Sequence, residues 1–164
     1  MAASAGRVLH LLRHAKAARA SESGEDRDRP LDERGRREAE RLAAHLADRD
    51  ISLVVCSSAL RARQTVEPLV ARLGCTVSFE DSLYSADEEV LISRIRELSD
   101  EAREVLVCGH NPTIERAAWE LSGEALEFPT CALATLLFPV DGWAEVERGG
   151  GRVLSFVVGR DLPD

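Results

Sequence analysis

Val8-Leu9-His10-Leu11-Leu12-Arg13-His14-Ala15-Lys16 decides how this chain is read. An apolar run of strand length stops abruptly at an arginine and a histidine. A short apolar run between polar segments reads as a strand buried on both faces of a parallel sheet. Arg13 and His14 then stand where that strand leaves the sheet, and open α/β sheets bind ligands at this edge. A guanidinium beside an imidazole there suggests an anion site with a nucleophile or acid–base group in it. A surface turn that happens to carry Arg-His is the plainer alternative for this dipeptide alone.

Working outward, the same arrangement recurs twice. Ile51 to Cys56 is a second apolar run, followed by Ser57-Ser58-Ala59-Leu60-Arg61-Ala62-Arg63-Gln64-Thr65. Ser58 is a plausible N-cap, and Ala62, Val66, Leu69, Val70 and Leu73 mark a helical face that Gly74 ends. Pro68 lies inside this helix and is expected to kink it near Gln64. Arg61 falls in the first turn, where a lone cation is mildly unfavourable unless an anion is bound. Glu104 to Cys108 is a third buried run and ends in Gly109-His110-Asn111-Pro112. Asn111 can cap the next helix with Pro112 at its first position, and Ile114, Ala117, Ala118 and Leu121 supply the buried face.

Between these units lie further elements. A polar stretch from Ala17 to Pro30 carries Arg19, Arg27 and Arg29 and reads as a loop. It is either a solvated connector or a rim over the site. Asp32 caps a helix whose core stripe is Ala39, Leu42, Ala43 and Leu46, and Gly35 weakens its first turn. His45 lies off that stripe and receives no function. Thr76 to Phe79 is a short strand, and Glu88 to Leu98 a helix with Val90, Leu91, Ile95 and Leu98 apolar. In the tail, Ala132 to Phe138 is apolar, Trp143-Ala144-Glu145-Val146 alternates and Val153 to Val158 is apolar, and Gly149-Gly150-Gly151 supplies the turn between the last two. This reads as a terminal pair of antiparallel strands added to the sheet.

Bulk properties bound the function. The 164 residues suit one domain, 1–164, with one core. A hydrophobic fraction of 45% with 30% charged residues indicates a folded chain. The net charge of −8 argues against a general nucleic-acid or membrane-surface binder, because the overall field repels polyanions. A phosphate site here must be a local cluster of cations. Lys16 is the only lysine, which fits a GC-rich bacterial coding bias. Cys56, Cys75, Cys108 and Cys131 form no C-x-x-C pair, and no histidine cluster has zinc spacing. The amino terminus has no adequate apolar core for a signal peptide, and no stretch approaches membrane-spanning length, so the cytoplasm is the expected compartment.

Taken together, three strand–turn–helix units bring Arg13, His14, Arg61 and His110 to one edge. Two guanidinium forks can hold phosphoryl oxygens, and the helix starts near Ser58 and Asn111 add backbone N–H groups. One imidazole can attack phosphorus while the other balances charge on the transferring group. Nearby arginines are expected to depress the imidazole pKa. No Walker loop and no carboxylate cluster suited to Mg²⁺ is present, so no metal or other cofactor is expected.

The motifs Leu12-Arg13-His14-Ala15-Lys16, Arg61-Ala62-x-Gln64-Thr65 and Gly109-His110-Asn111-Pro112 resemble the histidine phosphatase superfamily, the phosphoglycerate mutase-like proteins. They are most similar to its small SixA-type phosphohistidine phosphatase branch. Arg29-Pro30-Leu31 and Phe128-Pro129-Thr130 extend the likeness over nearly the whole chain. The resemblance implies a three-layer α/β/α sandwich around a mostly parallel, Rossmann-like sheet. It implies that His14 becomes transiently phosphorylated while Arg13, Arg61 and His110 bind the phosphoryl group; Lys16 and Asn111 join them as substrate-binding candidates. The family usually has glycine where this chain has Ala15. Larger relatives place a glutamate proton donor after the third strand, where this chain reads Asp81-Ser82-Leu83-Tyr84-Ser85 and offers no assignable carboxylate. Asp87, Glu88 and Glu89 more naturally start a helix.

A missing acid suits a phosphohistidine, whose imidazole leaves more readily than an alkoxide. The expected activity is therefore a metal-independent phosphatase acting on phosphohistidine in a partner protein. Two alternatives stand beside it: a broad small-molecule phosphomonoesterase, and a non-catalytic phosphate-binding regulator of a phosphorelay.

Overall fold

A computed structural model describes residues 6–164. Most of the amino-terminal segment read above for a signal peptide, residues 1–5, lies outside the described residues. Six strands form one sheet: β1 (Arg7–Arg13), β2 (Leu53–Ser57), β3 (Thr76–Glu80), β4 (Glu104–Gly109), β5 (Ala132–Phe138) and β6 (Arg152–Val158), in the order β3-β2-β4-β1-β5-β6. The first four run parallel, and β5 and β6 are antiparallel additions beside β1. The helices are α1 (Glu33–His45), α2 (Leu60–Leu73), α3 (Glu88–Arg96) and α4 (Thr113–Ser122).

The period-two pattern of the central strands sorts their side chains onto two faces. Leu9, Leu11, Val55, Val105 and Val107 pack with the buried stripes of α3 and α4. Leu12, Val54, Cys56, Leu106 and Cys108 pack with those of α1 and α2 on the other side. The chain is thus a three-layer α/β/α sandwich with a mostly parallel sheet and an antiparallel carboxyl-terminal pair. At the ends of β1 and β2 the chain turns to one face, and at the end of β4, between them, it turns to the other. Opposed exits from neighbouring strands open a crevice at the carboxyl edge.

Several details differ from the sequence expectation. Trp143–Glu145 is a 3-10 turn, not a strand; the Trp143 ring is fully buried and its indole N–H donates to Ala102 O at 2.6 Å. In α3, Val90 points to solvent and Ile92 takes its place in the core, because the helix meets the sheet through Leu91, Ile92 and Ile95. Ser58 does not cap α2: Ala59 holds the N-cap position and the Ala59 N–H donates to Ser57 Oγ at 3.2 Å. Pro112, not Asn111, holds the N-cap position of α4, although Asn111 Oδ1 still accepts the Glu115 N–H at 3.3 Å. His10, unremarked in the sequence, is a buried polar residue of β1, with Nδ1 2.8 Å from Thr135 Oγ1 and Nε2 2.7 Å from Glu104 Oε2. Among the described residues, no helix is long and apolar enough to cross a membrane.

Candidate active site

The exits of β1, β2 and β4 meet over the crevice. Arg13, His14, Lys16, Arg61, His110 and Asn111 all line one concavity of about 290 Å³, with Ala17, Arg29 and Thr130. The backbone stitches the exits together: the His14 N–H donates to Gly109 O at 3.1 Å, and the Cys131 N–H, from the start of the β5 segment, lies 3.1 Å from Arg13 O and 3.0 Å from His14 O. The His14 and His110 ring centroids are 5.1 Å apart.

The second motif works residue by residue. Thr65, fully buried, accepts the Ala15 N–H at 2.9 Å and donates to Arg61 O at 2.7 Å, tying α2 to the exit of β1. Gln64 Oε1 accepts the Leu31 N–H at 2.8 Å and fixes the end of the polar loop. Gly35 has a use that propensity alone does not suggest. A Cβ at this position would sit 2.0 Å from Lys16 O, so only glycine lets the start of α1 rest on the backbone beside His14. The Asp32 side chain caps α1 as expected, accepting the Gly35 N–H at 2.8 Å.

His14 is almost wholly buried. Its Nδ1 lies 2.8 Å from Ala15 O. A carbonyl can only accept, so Nδ1 carries the proton and Nε2 keeps the lone pair of a neutral ring. Burial holds the His14 pKa down to about 3, with His110, Arg61 and Arg13 adding repulsion against the Ala15 hydrogen bond, which raises it. The dominant cause is therefore desolvation, and the arginines named from the sequence come after it. His110 is lowered to about 4, again first by burial and then by Arg61. Both rings are neutral at pH 7.

The cations are held at their outer edges. Arg13 Nη1 donates to Phe128 O at 2.8 Å, and Asn111 Nδ2 donates to the same oxygen at 3.0 Å. Arg61 Nη1 and Nη2 donate to Asp26 O at 2.8 Å and Asp26 Oδ2 at 3.1 Å. Arg13 Nε, Arg61 Nε and His110 Nδ1 are buried without a hydrogen-bond partner. Unpaired buried polar groups are costly, and an oxyanion in the crevice would satisfy donors of this kind. Lys16 is exposed at the edge.

The polar loop resolves as a rim. Ala17 and Leu31 bridge at its base, and a 3-10 turn at Asp26–Asp28 brings Asp26 onto Arg61. Asp26, Ser57 and Tyr84 were not singled out as site residues by sequence. Ser57 Oγ lies 2.7 Å from His110 Nε2, and Tyr84 O–H donates to Asp26 Oδ2 at 2.6 Å. The only advance signals were the position of Ser57 at a strand exit and of Asp26 in the loop beside the site. Asp81, in the segment searched for a proton donor, is exposed and paired with Arg27. Asp26 is held down to about 2, first by the Tyr84 hydrogen bond, and stays ionised. No group of three or more His, Cys, Asp or Glu among the described residues could hold a metal ion.

Comparison with known proteins bears on the family and the fold. The family model of the histidine phosphatase superfamily, branch 1, matches residues 9–87. A SixA-type protein from Agrobacterium tumefaciens superposes with a TM-score of 0.80 at 34% identity, covering 94% of this chain and 99% of that one. The chain belongs to the histidine phosphatase superfamily. Within that superfamily it falls in the SixA-type branch. A SixA-type protein from Nakamurella multipartitia gives a TM-score of 0.83 at 29% identity over 95% of this chain and 98% of that one. The protein histidine phosphatase SixA complexed with tungstate gives 0.79 at 25% identity over 94% and 98%. This histidine phosphatase is accordingly a hydrolase of phosphoryl groups.

Proposed function

We infer that the protein is a metal-independent protein phosphohistidine phosphatase that works through a phosphohistidine on its own His14. The observation that carries this reading is the His14 contact: Nδ1 is committed to Ala15 O at 2.8 Å, which leaves Nε2 as the free nucleophilic nitrogen in a pocket shared with Arg13, Arg61 and His110.

The first step forms a bond between His14 Nε2 and phosphorus as the substrate N–P bond breaks. The departing imidazole takes the electron pair and picks up a proton from solvent water. Arg13 and Arg61 hold the equatorial oxygens, and His110 balances the charge that spreads over them. Exchange of one N–P bond for another is close to thermoneutral. In the second step water attacks phosphorus, releasing inorganic phosphate and restoring His14. The guanidinium groups supply the positive charge that a metal would otherwise bring.

The carboxylate inventory supports the substrate class. A general acid is worth roughly a hundred- to ten-thousand-fold for an alkoxide leaving group. Asp26, which touches a pocket arginine, is ionised and has no proton to give. The site therefore suits a phosphoramidate better than a sugar phosphate. The likeness to a protein histidine phosphatase that accepts tungstate supports the same assignment. The test is to label the protein with a phosphohistidine donor in EDTA. An acid-labile, base-stable phosphoenzyme absent from His14→Ala is expected, with phosphohistidine peptide turned over far faster than an alkyl phosphate. Equal kcat/KM values for the two substrates overturn the phosphohistidine assignment.

A further inference from the structure

The rim carries a charge that the phosphoryl-transfer chemistry does not use. Asp26 sits on the 3-10 turn Asp26–Asp28, and its side chain is about half exposed. Its carboxylate accepts from Arg61 Nη2 at 3.1 Å, Arg29 Nε at 2.9 Å and Tyr84 O–H at 2.6 Å. Arg61 and Arg29 both line the catalytic pocket. The turn is also fastened on its far side, where Arg27 donates to Ser58 and Asp81. A single carboxylate is thus pinned by three donors from three parts of the chain.

Position decides what this charge can do. His14 lies at the buried floor of the pocket, and the loop residues stand exposed at its mouth. In an in-line displacement the leaving group departs on the side opposite the attacking nitrogen. Asp26 lines an adjoining concavity that shares Arg29 with the pocket, so a leaving group that departs on the loop side passes its carboxylate. The phosphoryl oxygens meet Arg13, Arg61 and His110, whereas a leaving group on the loop side meets Asp26, the carboxylate bound to Arg29 and Arg61, with Lys16 as the other exposed charge beside the pocket.

We propose that Asp26 is a specificity-determining residue, which disfavours phosphate compounds whose leaving group carries its own negative charge and favours a neutral or cationic one. This rests on the phosphatase reading of the pocket and deepens its substrate class. An imidazole on a protein satisfies the condition. A phosphorylated sugar acid or a nucleotide, which keeps an anionic charge on the departing part, does not.

The experiment compares two aryl phosphates of nearly the same shape, 3-carbamoylphenyl phosphate and 3-carboxyphenyl phosphate, on the wild type, Asp26→Asn and Asp26→Glu. The wild type is expected to prefer the carbamoyl ester by a factor on the order of fivefold, the effect of one partly exposed charge. The preference shrinks as salt is raised. Asp26→Asn brings the ratio of kcat/KM values towards one, and Asp26→Glu keeps it. The same ratio measured from the inhibition constants of matched benzylphosphonates needs no turnover and covers a variant that binds but does not react. A wild-type ratio near one, or an Asp26→Asn ratio equal to the wild type, overturns the proposal. Neither outcome involves phosphohistidine, so a failure of the phosphohistidine assignment is read separately from the peptide assay.

Discussion

Ser57 Oγ and His110 Nε2 lie 2.7 Å apart. The same oxygen accepts the Ala59 N–H at 3.2 Å, which leaves its own proton free to point at Nε2. A neutral His110 that accepts there must carry its hydrogen on Nδ1, the atom that is buried with no partner. With the serine donating in this way, the other ring nitrogen is a donor, as an anion site requires. Ser57→Ala should lower kcat/KM roughly five- to tenfold, the worth of one hydrogen bond of about 1 kcal/mol. Nitrogen-15 chemical shifts of the His110 ring should show the proton no longer confined to Nδ1. An unchanged tautomer in the variant would rule out this role for Ser57.

Arg61→Lys separates charge from shape. Arginine reaches Asp26 with both Nη atoms and still presents Nε inside the site. A lysine has one ammonium and cannot make both sets of bonds. A loss in kcat/KM of roughly ten- to a hundredfold is expected, with an unchanged far-ultraviolet circular dichroism spectrum. Full activity in the lysine variant would show that only the charge matters.

The acid limb of the pH profile should lie unusually low for a histidine enzyme. His14 and His110 titrate near 3 and 4 in the free protein, below the ordinary value of 6.5. The attacking nitrogen is therefore unprotonated well below neutrality, and kcat/KM should show no ionisation near pH 6.5 from either ring. Stability has a definite sign as well. Between these lowered values and 6.5 the unfolded chain binds more protons than the folded one, so stability falls as pH drops below 6.5 and is complete above it. Asp26, at about 2 rather than 3.8, adds a smaller loss in the same direction at lower pH. Chemical denaturation at pH 7.5 and at pH 5 checks this, and a midpoint that rises on acidification would contradict it.

Gly35→Ala tests the seat of α1. The added carbon would meet Lys16 O at 2.0 Å, a backbone atom that cannot swing aside. Overpacking of this kind typically costs about 1–3 kcal/mol, although alanine is the better helix former. The variant should melt lower and lose activity, because Lys16 is two residues from His14. A rise in melting temperature would show that propensity outweighs the contact.

Arg13, His14, Arg61 and His110 were legible because each follows an apolar strand within a few residues, and a parallel sheet brings such exits to one edge. The helical stripes of α1, α2 and α4 were legible for the same local reason. Asp26 and Tyr84 were not, because their contact spans 58 residues and depends on how two loops fold over the edge. Ser57 was passed over in favour of Ser58 because capping statistics do not tell which of two adjacent serines faces the helix. Trp143 to Val146 misled because four alternating residues fit a tight turn with a buried indole as well as a strand. Gly35 read as a weak point in a helix, since the constraint comes from a backbone oxygen 19 residues earlier, at Lys16.

The Ala17–Leu31 bridge closes the polar segment at its root, and the Ala18 N–H donating to Pro30 O at 2.8 Å continues the closure one step inward. The residues between these ends form a cassette. They reach the reacting groups at one point, the pair of bonds from Arg61 to Asp26, while His14 and His110 follow directly from the strands beneath. A change in this insert is therefore felt at the reacting centre through a single arginine.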